Sequence, residues 1–176
     1  EKWLRNLSGE HPQRFALRER IAVVAADLGK PEEAAAIYDD LLGKLVGNEG
    51  IRARYLDFLE KTGETERAVE ICQQLIDFRP EDLELVFRLA GLQDAAGERE
   101  GMLASLADFL ERAGANSANY LRVARFLGQT GEKGKAREVY RQAVATFPGD
   151  PAPKWWLAEN LLVGPEAEVI DEGLQI

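Results

Sequence analysis

The sequence predicts an all-α solenoid built from antiparallel helix hairpins that follow one another along the chain. Three observations carry this prediction. Gly29, Gly63, Gly97 and Gly131 stand 34 residues apart each time, and self-similarity at a fixed period of about 20–50 residues marks a repeat architecture. Asn48, Asp82, Asn116 and Asp150 keep the same register, with the side-chain oxygens that helix N-caps require. Between these markers the apolar residues fall at helical spacing, as in Tyr55, Leu56, Phe58 and Leu59.

Each element follows from local chemistry. Residues 1–14 align with the end of a preceding second helix, Glu1 to Leu7, with Leu4 and Leu7 on its apolar face and Pro12 closing it. Four units follow at 15–48, 49–82, 83–116 and 117–150. In each, a first helix runs from the cap to the column glycine, which takes the left-handed conformation that ends a helix. Lys30-Pro31, Glu64-Thr65, Glu98-Arg99 and Glu132-Lys133 make the turn. A second helix then runs to the connection, ending near Arg79-Pro80 and Phe147-Pro148 in the second and fourth units. Acids near its start, Glu32, Glu33 and Glu66, suit the helix dipole.

Residues 151–176 form a partial fifth repeat or capping helix. Ala152 to Val163 reads as a fifth first-helix, Gly164-Pro165 replaces the turn, and Glu166 to Glu172 reads as a short closing helix. Because the chain opens inside a repeat, it is expected to be a segment of a longer protein. The third unit departs most: Met102 stands where other units have Ala34, Ala68 and Ala136, Gln93 enters the apolar row, and Gly101 lies inside a helix. Leu41, Leu75 and Phe109 replace the small residue that the fourth unit keeps as Ala143, and are expected to weaken packing locally.

These columns resemble the tetratricopeptide repeat family, whose unit is a helix–turn–helix. The fourth unit carries the family pattern at Ala124, Gly131, Ala136, Tyr140, Ala143 and Pro148, and the first carries it at Ala22, Gly29, Ala34 and Tyr38. The resemblance covers nearly the whole chain. It implies a right-handed superhelical α–α solenoid, and a non-catalytic scaffold that binds a protein or peptide segment in a concave groove.

Composition narrows the function classes. The 176 residues are 45% hydrophobic and carry a net charge of −9, which repels polyanions on average. No apolar run approaches the roughly 18 residues of a membrane span; the longest, Ile21 to Ala26, is far shorter. No catalytic, metal or cofactor constellation is expected. The single histidine, His11, precedes Pro12 in a connection without metal-ligand or triad partners, and the single cysteine, Cys72, shares a column with Tyr38, Leu106 and Tyr140 and is expected to be buried. Gly128 to Ala136 superficially resembles a phosphate loop, but no Ser or Thr follows Lys135 and Gly131 belongs to the repeat column. An RNA-reading helical array remains as a rival, although its repeats usually run one residue longer and the acidic balance offers no continuous basic track. The Ala-, Leu-, Glu- and Arg-rich helices are bacterial in type. No motif fixes the compartment, so the cytoplasm is the default and the periplasm stays open.

The resemblance also places the first helices along the concave surface. Arg20, Arg54, Arg88 and Arg122 form one row there, followed by Trp156, while Glu19, Ala53, Phe87, Leu121 and Trp155 form a row that becomes apolar toward the C-terminus. The expected peptide-binding residues are Arg54, Phe87, Arg88, Leu121, Arg122, Arg125 and Trp155. Arg54 has Asp57 within its own helix and Arg88 has Glu84, each an i,i+3 or i,i+4 pair worth a few tenths of a kcal/mol. Arg122 has no acid three or four residues away, and with Arg125 it is the expected receptor for a partner's carboxylate. Some members of the family clamp acidic chaperone tails with Lys and Asn side chains. The matching positions hold Glu19, Val23, Arg54, Glu84 and Arg88, and only Arg88 agrees, so that mode is not expected. The expected partner is a segment joining an acidic group to an apolar side chain, with self-association through one end as the alternative.

Overall fold

A computed structural model describes residues 15–112 and 116–162. They fall in two compact units that divide between Arg79 and Pro80. The N-terminal unit contains α1 (Phe15–Asp27), α2 (Pro31–Lys44), α3 (Glu49–Thr62) and α4 (Thr65–Phe78). The C-terminal unit contains α5 (Leu83–Ala95), α6 (Arg99–Arg112), α7 (Ser117–Gln129), α8 (Lys133–Thr146) and α9 (Pro151–Leu162). The described residues contain no strand, and the fold is an all-α helical-repeat solenoid. The readings made for Glu1 to Leu7, His11, Pro12 and the stretch from Val163 to Glu172 lie outside the described residues.

Both local signals act as the sequence predicts. The Asn48 side chain accepts a hydrogen bond from the Ile51 amide at 3.0 Å, Asp82 from the amides of Glu84 and Leu85 at 3.1 and 3.3 Å, Asn116 from Ala118 at 3.0 Å, and Asp150 from Ala152 at 2.9 Å. Each satisfies an amide that the first helical turn leaves unpaired. The four column glycines have φ of 72°, 78°, 78° and 89°, a conformation that costs a side chain dearly. One residue beyond each, a backbone N–H reaches back to close the helix: Lys30 to Ala25, Glu64 to Leu59, Glu98 to Gln93 and Glu132 to Leu127, at 2.8–3.0 Å.

Hairpins form by α1 packing on α2, α3 on α4, α5 on α6 and α7 on α8. Within the N-terminal unit α2 also packs on α3; within the C-terminal unit α9 packs mainly on α8. The alanine columns lie inside the core, for Ala22, Ala34, Ala68, Ala90, Ala124 and Ala136 are all fully buried. Cys72 is fully buried in the column of Tyr38 and Tyr140. Leu41, Leu75 and Phe109 are as fully buried as Ala143. Their extra volume fills the core and gains apolar burial, rather than prying the helices apart.

The irregular third hairpin has a local explanation. A Cβ on Gly101 would stand 3.0 Å from the Gln93 side-chain nitrogen. Gln93 is itself buried, and its carbonyl oxygen accepts a hydrogen bond from the Ser105 hydroxyl at 3.0 Å. The glycine makes room for the buried amide, and the serine satisfies part of it. Met102, fully buried beside them, occupies the volume around the alanine position.

Candidate functional site

Within the N-terminal unit, Arg54 of α3 forms an ion pair with Glu19 of α1. The partner comes from the preceding first helix, not only from the acid at i+3 that local spacing offers. The pair is half-exposed, so it contributes at most about 1 kcal/mol. It leaves Arg54 with a carboxylate already in place.

The C-terminal unit holds the rest of the predicted residues, on α5, α7 and α9. Phe87 of α5 is half-buried and stacks on Phe126 of α7, with ring centroids 5.0 Å apart and planes 13° from parallel. The Arg122 guanidinium lies over the Phe87 ring, 5.2 Å from its centroid. Arg122 also donates to the Glu84 carboxylate of α5. Arg122 has no acid three or four residues away in its own helix, but Glu84, 38 residues earlier, supplies a carboxylate in an exposed ion pair. Arg88 is half-buried and itself engaged, and Leu121 is half-buried.

Arg125 and the tryptophans form the second cluster. The Arg125 guanidinium sits 4.6 Å from the Trp156 ring centroid. Trp155 meets Trp156 edge to face, 4.8 Å between centroids at 85°. Trp155 is 60% exposed although it is the largest of side chains. α9 packs mainly on α8 and also touches α7, where Trp156 meets Arg125, and Leu157 of α9 is buried. Nearby, burial pushes the Tyr140 hydroxyl above its usual range, with the Arg125 charge pulling the other way.

The structure therefore places Phe87, Arg122, Arg125 and Trp155 of the predicted residues in two arginine–aromatic clusters, with Arg88 and Leu121 in neither. In one, Phe87, Phe126, Arg122 and Glu84 satisfy each other. In the other, Arg125, Trp156 and Trp155 present a cation and an exposed ring. Sequence reasoning missed Glu84 and Glu19 as partners, and Phe126 as a stacking surface. The signal was available: with a 34-residue period, a first-helix side chain meets neighbours about one period away, and both acids lie 35 or 38 residues before their arginines.

Models of the tetratricopeptide repeat match residues 25–92 and 117–150, more than half of the chain. The chain belongs to the tetratricopeptide repeat family. No curated protein matches it. Among solved structures, a tetratricopeptide repeat protein from Parabacteroides merdae is similar, with 19% identity and a TM-score of 0.53 over 96% of this chain and 67% of that one. A structure of MamA matches with 15% identity and a TM-score of 0.52, covering 92% of this chain and 86% of that one. MamA residues 41 to the end from Desulfovibrio magneticus match with 17% identity and a TM-score of 0.50, over 92% and 91%. At these identities the likeness shows the tetratricopeptide fold. Tetratricopeptide repeats are in general non-catalytic scaffolds for protein interaction, and protein partners are what this family membership implies. No helix among the described residues is long and apolar enough to cross a membrane.

Proposed function

We propose that the chain is a protein-interaction module whose C-terminal unit binds a partner segment carrying an acidic group beside a bulky apolar side chain. The observation that supports this most is the exposed Trp155 next to the Arg125–Trp156 stack. An exposed tryptophan offers a large apolar contact, and arginine and tryptophan are the residue types over-represented at binding hot spots. The Arg125 guanidinium over the Trp156 ring sets a cation beside the exposed indole, and arginine takes a carboxylate with two parallel hydrogen bonds. A charge-assisted contact of this kind contributes about 1.5–3 kcal/mol where water is excluded. Arg122, neutralised by Glu84, takes a supporting place and lends Phe87 and Leu121 as apolar neighbours. Arg54 and Arg88 belong to this proposal only as residues of the same row.

A display library of random peptides, selected on the intact chain, tests this reading. Selected segments should pair Asp, Glu or a C-terminal carboxylate with a Trp, Phe or Leu. Arg125→Ala and Trp155→Ala should each weaken them at least tenfold, and Arg122→Ala clearly less. If folded Arg125→Ala and Trp155→Ala variants bind like wild type, the site lies elsewhere. The exposed Trp155 on the last described helix also favours a second reading, assembly through that end. Sedimentation would then show concentration-dependent dimers that Trp155→Ala abolishes.

A further inference from the structure

Within each unit, side chains of successive second helices meet across a repeat joint, and charge bridges both joints. In the N-terminal unit Arg67 of α4 donates to Asp39 of α2 at 2.6 Å. In the C-terminal unit Arg99, at the start of α6, forms an ion pair with Glu132, the residue before α8. Further along that joint, Leu103 and Ala107 of α6 and Glu138 and Gln142 of α8 line the same space.

One 34-residue period later the same positions read differently. Arg99 becomes Lys133, Leu103 becomes Arg137 and Ala107 becomes Arg141. The edge of α8 that follows the joint is therefore cationic where the edge of α6 is mostly apolar. The three cations stand four residues apart, on one stripe of the helix, with Lys133 and Arg141 exposed and Arg137 half-buried. The acids on the other side of the joint advance by the same step: Glu132 becomes Glu166 and Glu138 becomes Glu172. Residues 163–176 hold four acids, Glu166, Glu168, Asp171 and Glu172, and no Lys or Arg.

We propose that the acidic stretch 166–172 of this same chain docks on the cationic stripe of α8, with Glu166 on Lys133 and Glu172 at Arg137 and Arg141. Position favours it. α9 packs mainly on α8, and Asn160 near its end lies against the Tyr140 hydroxyl, so the chain leaves α9 beside the first half of α8. From Leu162 to Glu166 the backbone spans up to about 14 Å, more than the width of a helix. Charge favours it too. In a chain of net charge −9 most of the surface repels four acids, whereas α8 carries four cations and one acid. That acid, Glu138, is held by Lys135 at 2.9 Å and lies on the side toward α6. Each exposed ion pair is weak alone, but a tether of a few residues supplies a high effective concentration for the set. The contact belongs to second helices, apart from Arg125 and the tryptophans.

Paramagnetic relaxation in the intact chain tests the proposal, with a nitroxide on Gln175→Cys, outside the acidic run, while Cys72 is fully buried. The α8 amide signals around 133–141 should broaden at low salt. Lys133→Glu combined with Arg137→Glu should abolish most of that broadening, and adding Glu166→Lys and Glu172→Lys should bring it back. Lys133→Glu with Arg141→Glu, both at exposed positions, replaces the first pair should it fail to fold. A mixture of nitroxide-bearing chain and label-free isotope-enriched chain should show no broadening, because the contact is within one chain. Sharp α8 signals in the labelled chain overturn the proposal. So does broadening that survives charge reversal, a charge swap that restores none of it, or broadening found between copies.

Discussion

Gly101 shows how one residue's meaning depends on what faces it. By helix propensity alone, Gly101→Ala should stabilise the protein by about 1 kcal/mol. The added methyl, however, meets the buried Gln93 amide at 3.0 Å, and the amide cannot retreat without loosening its hydrogen bond with Ser105. Gly101→Ala alone should therefore gain clearly less than propensity allows, and the missing part should return in a Gln93→Ala background. Chemical denaturation of the two single variants and the double variant measures this coupling. Additive effects would show that glycine and glutamine are independent irregularities. From sequence, both look like separate defects; their compensation is legible only once α5 and α6 lie side by side. Arg122 teaches the same lesson, since its acid sits on a different helix.

Helices are where the sequence is most informative. Caps, left-handed glycines and alanine columns are local or strictly periodic features, and the physics that reads them acts within a turn or at a fixed helix separation. The tryptophan cluster was only half legible: the row predicts Trp155 on a first helix, but not that Arg125 stacks on Trp156. That stacking depends on how α9 lies against α7 and α8, which is set by packing between helices and not by local sequence. The same element scale carries a stability prediction. α6 has a glycine within its first turn, which costs about 1 kcal/mol of helix propensity relative to alanine. Because repeat proteins couple chiefly between neighbours, α6 should open before α7 and α8. Amide hydrogen exchange should find residues 99–112 less protected than 133–146, whereas α6 as the best protected helix of the chain would contradict this account.

For the whole molecule, the acidic balance and repeat period define a tetratricopeptide scaffold, and chemistry is concentrated where that pattern is broken. Units one to three are net acidic, while the fourth is the only net basic full unit. Internal acids have claimed Arg54 and Arg122, each pair contributing little to stability because both are exposed. Arg125, stacked on Trp156 beside an exposed Trp155, is where binding energy is expected to gather. The most direct measurement is a two-dimensional NMR titration of the intact chain with a display-selected segment that pairs an acid with an aromatic side chain. The account predicts saturable shifts of the Trp155 and Trp156 indole N–H signals and of the α7 amides around Arg125, all lost in Arg125→Ala. Saturable binding that perturbs α6 and α8 and leaves both indoles unmoved would contradict it.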